Sequence, residues 1–361
     1  AAVHELVEGL ADGTIDSRDA DRRLREIKRT PRRFSVLAVS VASAVLASSV
    51  AVMIGASAAA AVVTVAVVLA VTGVNRVHAG FDLPEFYGNA INALVATVLA
   101  GLAYAVATLA GSPLGDQDFA FIVAGGIVAM LPGRTMAAAI EDVLFGFPLT
   151  GAGRLLSVLV ALMGLIIGIG AGLKVMLWIT TVLDTQFVSP TVLELRTDQG
   201  ALVTALLGAL FVALSAAVTV QSRARLILPT GLLSVGAATI GAILQRSLEF
   251  GVITATGFAA IALGAVGRVV AARLRVPSMV IIVPASFALL PGLTIFRGLY
   301  ELVDVGGASA GSLTIQSGLT TLLSAGAVLL AIATGTVFGE ILTSRWDTSV
   351  RGERPKGSDA G

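Results

Sequence analysis

Cysteine is absent from the 361 residues, and with it go disulfides, thiolate metal sites, iron–sulfur clusters and cysteine nucleophiles. Histidine occurs twice, at His4 and His78, far apart and outside the apolar runs. That removes helical zinc motifs and leaves a Ser-His-Asp triad without a base. Charge is scarce as well: Lys, Arg, Asp and Glu make up 13% of the chain, against about 25% in a soluble domain. Fifteen of the 47 charges fall in residues 1–33 and seven in 345–361, so the 311 residues between hold 25. With a mean hydropathy of +0.93, that middle cannot be a water-soluble fold. A net charge of +1 with 3 Tyr and 2 Trp offers neither the basic excess nor the stacking platforms of a nucleic-acid binder. No Gly-rich phosphate loop is visible, so ATP does not act from within this chain, and no cofactor is expected.

What is present is a series of uncharged runs. A transmembrane helix needs about 20 apolar residues, and charge at its centre is costly. Nine stretches qualify: 34–75, 86–115, 119–133, 155–173, 199–222, 226–245, 250–267, 276–296 and 305–339. The first has 42 residues, which as one helix would be about 63 Å against a hydrocarbon core of about 30 Å. It must fold back near Gly55, giving an all-α polytopic membrane protein of about ten spans. Lys and Arg in the connections orient it. Placing the N-terminus in the cytoplasm puts 20 basic residues inside and four, Lys174, Arg196, Arg246 and Arg297, outside. Both termini are then cytoplasmic. The chain opens on Ala1 within a charged segment, so its true start is expected upstream. The division is a cytoplasmic segment 1–33, membrane halves 34–192 and 193–344, and a tail 345–361.

The halves resemble each other. Leu131-Pro132-Gly133-Arg134-Thr135 ends the fourth span and Leu290-Pro291-Gly292-Leu293-Thr294 the ninth, 159 residues apart. Gly125 meets Pro284 at the same offset, and in the preceding span Gly88 meets Gly251 and Gly101 meets Gly264 at 163. Five spans per copy is an odd number, so the second copy starts on the opposite side and the repeats are inverted. Inverted repeats with broken helices are how many secondary transporters build a central site.

Against this background Leu290-Pro-Gly-Leu-Thr-Ile-Phe-Arg-Gly-Leu-Tyr300 resembles the threonine/serine exporter family of bacterial inner-membrane proteins. So do Phe86-Tyr-Gly-Asn89, Asp142 with Thr150-Gly-Ala-Gly-Arg154, and Gly339-Glu340. The likeness runs from about Glu5 to Arg345. It implies ten spans and export of threonine and serine driven by the proton gradient. Family members usually carry a longer soluble N-terminal domain. Expected partners are the amino-acid substrate, protons and the bilayer, and homo-oligomerisation is left open. A passive channel for other small metabolites is the alternative. An intramembrane enzyme would need a catalytic His or paired Asp inside the spans, and neither is there.

Candidate residues follow. Asp82-Leu83-Pro84-Glu85 reads as a helix start. Asn89 and Asn92, on one face just inside it, can bond either a substrate or neighbouring helices. Pro132, Gly133 and Thr135, with Pro291, Gly292 and Thr294, would free backbone groups for the substrate. Proton coupling needs a carboxylate near the membrane. Asp142 is the best placed, since it follows a break and meets Glu301 at offset 159, while Glu141 reads as an interfacial acid. Arg297, Glu301 and Asp304 also read as a local ion-pair cluster. Glu340 reads as an acid near the inner interface and, with Glu301, as the next candidate for the proton after Asp142. Lys174 and Arg154 read as anchors, and Ser286 as a partner for a carbonyl freed by Pro284.

Overall fold

A computed structural model describes residues 6, 9–10, 12–29, 33–81, 83–111, 114–115, 118–128, 130, 135, 138–139, 142–143, 146–182, 202–303 and 315–347. Among the described residues every regular element is helical. The helices are α1 Ser17–Arg29, α2 Val36–Met53, α3 Ala58–His78, α4 Glu85–Leu109, α5 Asp118–Val128 and α6 Pro148–Val182 in the first half. The second half has α7 Leu202–Thr219, α8 Ala224–Arg246, α9 Val252–Arg273, α10 Met279–Ser286, α11 Gly292–Val303 and α12 Ile315–Asp347. Helix is what lipid demands, because every backbone N–H and C=O must find its partner within the segment. Hydroxyls inside these helices obey the same rule. Ser40, Ser43, Ser49, Thr64, Thr72 and Thr97 each donate to the carbonyl four residues earlier.

Among the described residues eight helices, α2, α3, α4, α6, α7, α8, α9 and α12, are long and apolar enough to cross a membrane. The fourth and ninth places are taken by the short apolar helices α5 and α10, of 11 and 8 residues. The 42-residue run folds back as its length requires: α2 ends at Met53, Gly55 turns with φ +113°, and α3 starts at Ala58. The fifth span is longer than its uncharged stretch, because α6 continues past Lys174 to Val182.

Close backbone contacts fix helix direction. On α6, Gly164, Gly168 and Gly172 lie against Phe86, Ala90 and Leu94 of α4. Numbers rise together on both helices, so α4 and α6 are parallel. On α12, Gly335 and Gly339 lie against Gly257 and Ile261 of α9, another parallel pair. In each half, therefore, the chain between the paired helices must return to the end from which the first one set out. The helices α2 and α7 instead run antiparallel. Gly208 near the start of α7 lies against Ser49 and Met53 near the end of α2. At their other ends Gln221 brackets Phe34, accepting from its N–H at 2.9 Å and donating to its carbonyl at 3.4 Å.

The same contacts recur in both halves. The pairs Gly168–Ala90 and Gly172–Leu94 reappear 167 residues later as Gly335–Gly257 and Gly339–Ile261. The turn after α2, with Ala56 N–H on Ala51 O and Gly55 at positive φ, reappears 166 later with Ser222 on Ala217 O and Gln221 at positive φ. The 163 spacing read from Gly101 and Gly264 is one helical turn away from this register. Those two glycines do different work: a Cβ on Gly264 would first meet the Thr336 backbone, one on Gly101 the flexible Met176 side chain.

Buried helix α5, from Phe119 to Ile127, is the centre of the largest core, among residues of α3, α4 and α6. Ile295 and Phe296 of α11 and Ala325 and Leu329 of α12 complete it. The first half's core is thus closed by the second half.

Candidate functional site

The break in the second half is fully described. Helix α10 carries Pro284 in its interior and tightens into a 3₁₀ turn at Phe287–Leu289. Leu290 is extended, with φ −63° and ψ 134°, and α11 starts at Gly292. Ser286 donates to the Val283 carbonyl at 2.8 Å, which Phe287 N–H has left for Pro284 O. Pro291 accepts from Ile295 N–H at 2.9 Å, Gly292 is buried, and Thr294 is half-buried in the first turn of α11. In the first half Pro132 and Gly133 lie outside the described residues, and Thr135 is helical and exposed. Met130, just before that break, and Leu290 pack against the same core cluster.

The carboxylates each find a defined partner. Asp142 Oδ2 lies 2.8 Å from Arg154 Nη1, which joins the short helical stretch around Asp142 to the start of α6. Glu301, on α11, is buried and accepts from Arg297 Nε at 3.0 Å and Thr321 Oγ1 at 2.8 Å. Glu340, half-buried near the end of α12, accepts from Ser278 Oγ at 3.2 Å, with Arg268 of α9 also acting on it. Glu141, Asp304 and the expected cap Asp82 lie outside the described residues. Among the described residues no group of three or more His, Asp or Glu is placed to hold a metal ion.

One acid was not singled out by sequence. Asp118 is 4% exposed and accepts from Ser57 N–H at 3.0 Å, Ser57 Oγ at 2.7 Å and Gly115 N–H at 2.9 Å. From the first residue of α5 it holds the Gly115 turn and pins that start to Ser57, just before α3. Its place directly before an uncharged run was the available signal, since a carboxylate there can satisfy orphan helix amides.

Two family models cover most of the chain. One described as "Putative threonine/serine exporter" matches residues 1–176, and one described as "Threonine/Serine exporter, ThrE" matches residues 205–342. The chain belongs to the threonine/serine exporter family. A probable threonine/serine exporter of Mycobacterium tuberculosis is 30% identical over 271 residues, 72% of this chain and 46% of that protein. A threonine/serine exporter of Corynebacterium glutamicum is 26% identical over 263 residues, 73% of this chain and 50% of that protein. The chain thus spans about half the length of the curated relatives it matches. No solved structure matches it.

In this exporter-family chain the two asparagines bind helices together. Asn92 is buried and donates to Asn75 Oδ1 at 3.1 Å, linking α4 to α3, and Asn89 reaches the Ala161 carbonyl of α6 at 3.4 Å. Replacing Asn92 by alanine is expected to lower the unfolding free energy by about 1 kcal/mol. Detergent titration of the purified protein measures this.

Proposed function

We propose that this chain is a secondary transporter that exports threonine and serine across the bacterial cytoplasmic membrane in exchange for protons. Its two five-span repeats are inverted, and its N-terminus is cytoplasmic. The observation that carries the reading is the pair α2 and α7: they stand 166 residues apart, in step with the 167 register of the α4–α6 and α9–α12 contacts, and they run in opposite directions. Such a pair supports a pseudo-two-fold axis in the membrane plane. Such an axis gives one site two equivalent routes of access, one from each side. The names of the relatives point to the substrate.

A zwitterionic amino acid needs a positive and a negative partner. The first-turn amides of α11, at the Pro291-Gly292 break, suit the carboxylate, and carbonyls left by the 3₁₀ turn suit the ammonium. The proton needs a carboxylate whose hydrogen bond survives neutralisation. Asp142 and Glu301 lie 2.8 and 3.0 Å from a guanidinium nitrogen, whereas Glu340, on which Arg268 also acts, accepts from the Ser278 hydroxyl, which can bond a carboxyl as well as a carboxylate. Glu340 is therefore the carrier we favour, with Asp142 and Glu301 in supporting places.

Purified protein in vesicles, loaded with labelled threonine, tests this with and without a pH gradient. Uphill movement only with the gradient is expected, and flux that ignores the gradient would mean a passive channel. Glu340→Gln is expected to keep threonine exchange at equal concentrations and to lose uphill export. If the Gln variant still concentrates threonine, another group carries the proton.

A further inference from the structure

The acids of the two short elements are served by arginines at different places. In the first half the guanidinium comes from the long helix α6, as Arg154. The corresponding place on α12, 167 residues on, is Thr321, whose hydroxyl donates to Glu301. In the second half the guanidinium comes from the short helix itself, as Arg297, four residues before Glu301. The corresponding place in the first half, four residues before Asp142, is Ala138. Packing in the same elements fixes this register. A side chain on Gly151 would meet Val143 and Ala139, and one on Gly318 would meet Leu302 and Gly298, at the same offsets of 167 and 159. Arg154 already bridges the exchange, for Nη1 lies 2.8 Å from Asp142 Oδ2 and 3.5 Å from the Ala138 carbonyl.

We propose that Arg154 and Arg297 are one positioning residue at exchanged places. Each neutralises the acid that ties a short element to its long helix. The tie to α6 is an ion pair, and the tie to α12 is a hydrogen bond from an uncharged hydroxyl. Moving the first-half elements apart breaks Asp142 from its cation; the Arg154 side chain is 44% exposed and that of Asp142 22%, so the cost falls on the carboxylate rather than the guanidinium. Moving the second-half elements apart leaves Glu301 with Arg297 on the same helix. Asp142 Oδ2 is buried and accepts no directed hydrogen bond from the described residues, so charge alone makes that contact. The two sides of the protein therefore open at unequal cost. This rests on the exporter reading, since unequal opening matters only if both sides open in turn.

The test exchanges the arginines and reads two quantities: threonine counterflow in vesicles and the thermal unfolding midpoint in detergent. Arg154→Thr is expected to slow counterflow about tenfold and to lower the midpoint. Adding Ala138→Arg rebuilds the second-half arrangement and is expected to bring counterflow back to within about threefold of native. Adding Gly153→Arg instead restores the net charge at an exposed site with open space around it, and should rescue neither quantity. The mirror exchange, Arg297→Ala with Thr321→Arg, should likewise outperform Arg297→Ala alone. Native counterflow in Arg154→Thr, or equal rescue by Gly153→Arg, overturns the proposal. If the unaltered chain exchanges neither threonine nor serine, the exporter reading fails and the midpoints decide. Restoration by Ala138→Arg and not by Gly153→Arg then upholds the shared role, and equal midpoints overturn it.

Discussion

Replacing Gly339 by leucine is expected to pry α9 from α12 and leave little folded protein. A Cβ at Gly339 would run into the Ile261 carbonyl and come within 2.7 Å of Ala265 N, and one at Gly335 would lie 2.7 Å from the Gly257 carbonyl. These neighbours are backbone atoms of a regular helix, so no rotamer change relieves the clash and the helix axes must separate. In a bilayer that separation is severe, because packing contacts between small residues, rather than escape from water, hold helices together. The cost is expected to be about 3 kcal/mol or more, at the upper end of what overpacking does. Gly326 on the same helix has nothing within 4 Å of its would-be Cβ, and Gly326→Ala should be neutral or gain up to about 1 kcal/mol from helix propensity. Unfolding midpoints of the two variants in one detergent decide the matter. A Gly339→Leu protein as stable as native would mean that α9 and α12 do not pack in this register.

Pro291→Ala together with Gly292→Leu is expected to abolish transport while membrane insertion persists. Leu290 is extended and α11 restarts at Gly292, so two residues of better helix propensity favour one continuous helix from α10 into α11. That consumes the amides and carbonyls assigned to the substrate's charged ends. Threonine counterflow should fall by about a hundredfold or more, the equivalent of about 3 kcal/mol in the barrier. Gly292 is buried, so Gly292→Ala alone serves as the steric control, and yield in the membrane fraction reports insertion. Normal export by the double variant would remove this break from the mechanism.

How far the sequence reached depended on what each signal measures. Lack of charge reports transfer into lipid directly, so the membrane class, the positions of the apolar runs and the fold-back at Gly55 were all legible. The Leu-Pro-Gly to Tyr300 stretch, in order with the other strings, carried the family, which the two family models bear out. Periodicity could not say which face of a helix packs, because helices in lipid are apolar all round. The glycines at 164, 168 and 172 were in plain view, yet their partner α4, its parallel direction and the 167 register came only from contacts between segments some 80 residues apart. The same holds for the acids. Sequence marked Asp142, Glu301 and Glu340 as charges near the membrane and paired Glu301 with Arg297 one helical turn away, as the structure has it, but Arg154 beside Asp142 and the hydroxyls on Glu301 and Glu340 come from neighbouring elements. The burial of Asp118 between Ser57 and Gly115 belongs with these. Composition determined that this chain enters a bilayer, because transfer free energy adds up residue by residue. Tertiary structure alone decided which small residues meet and which charges are paired between elements, because those energies belong to pairs.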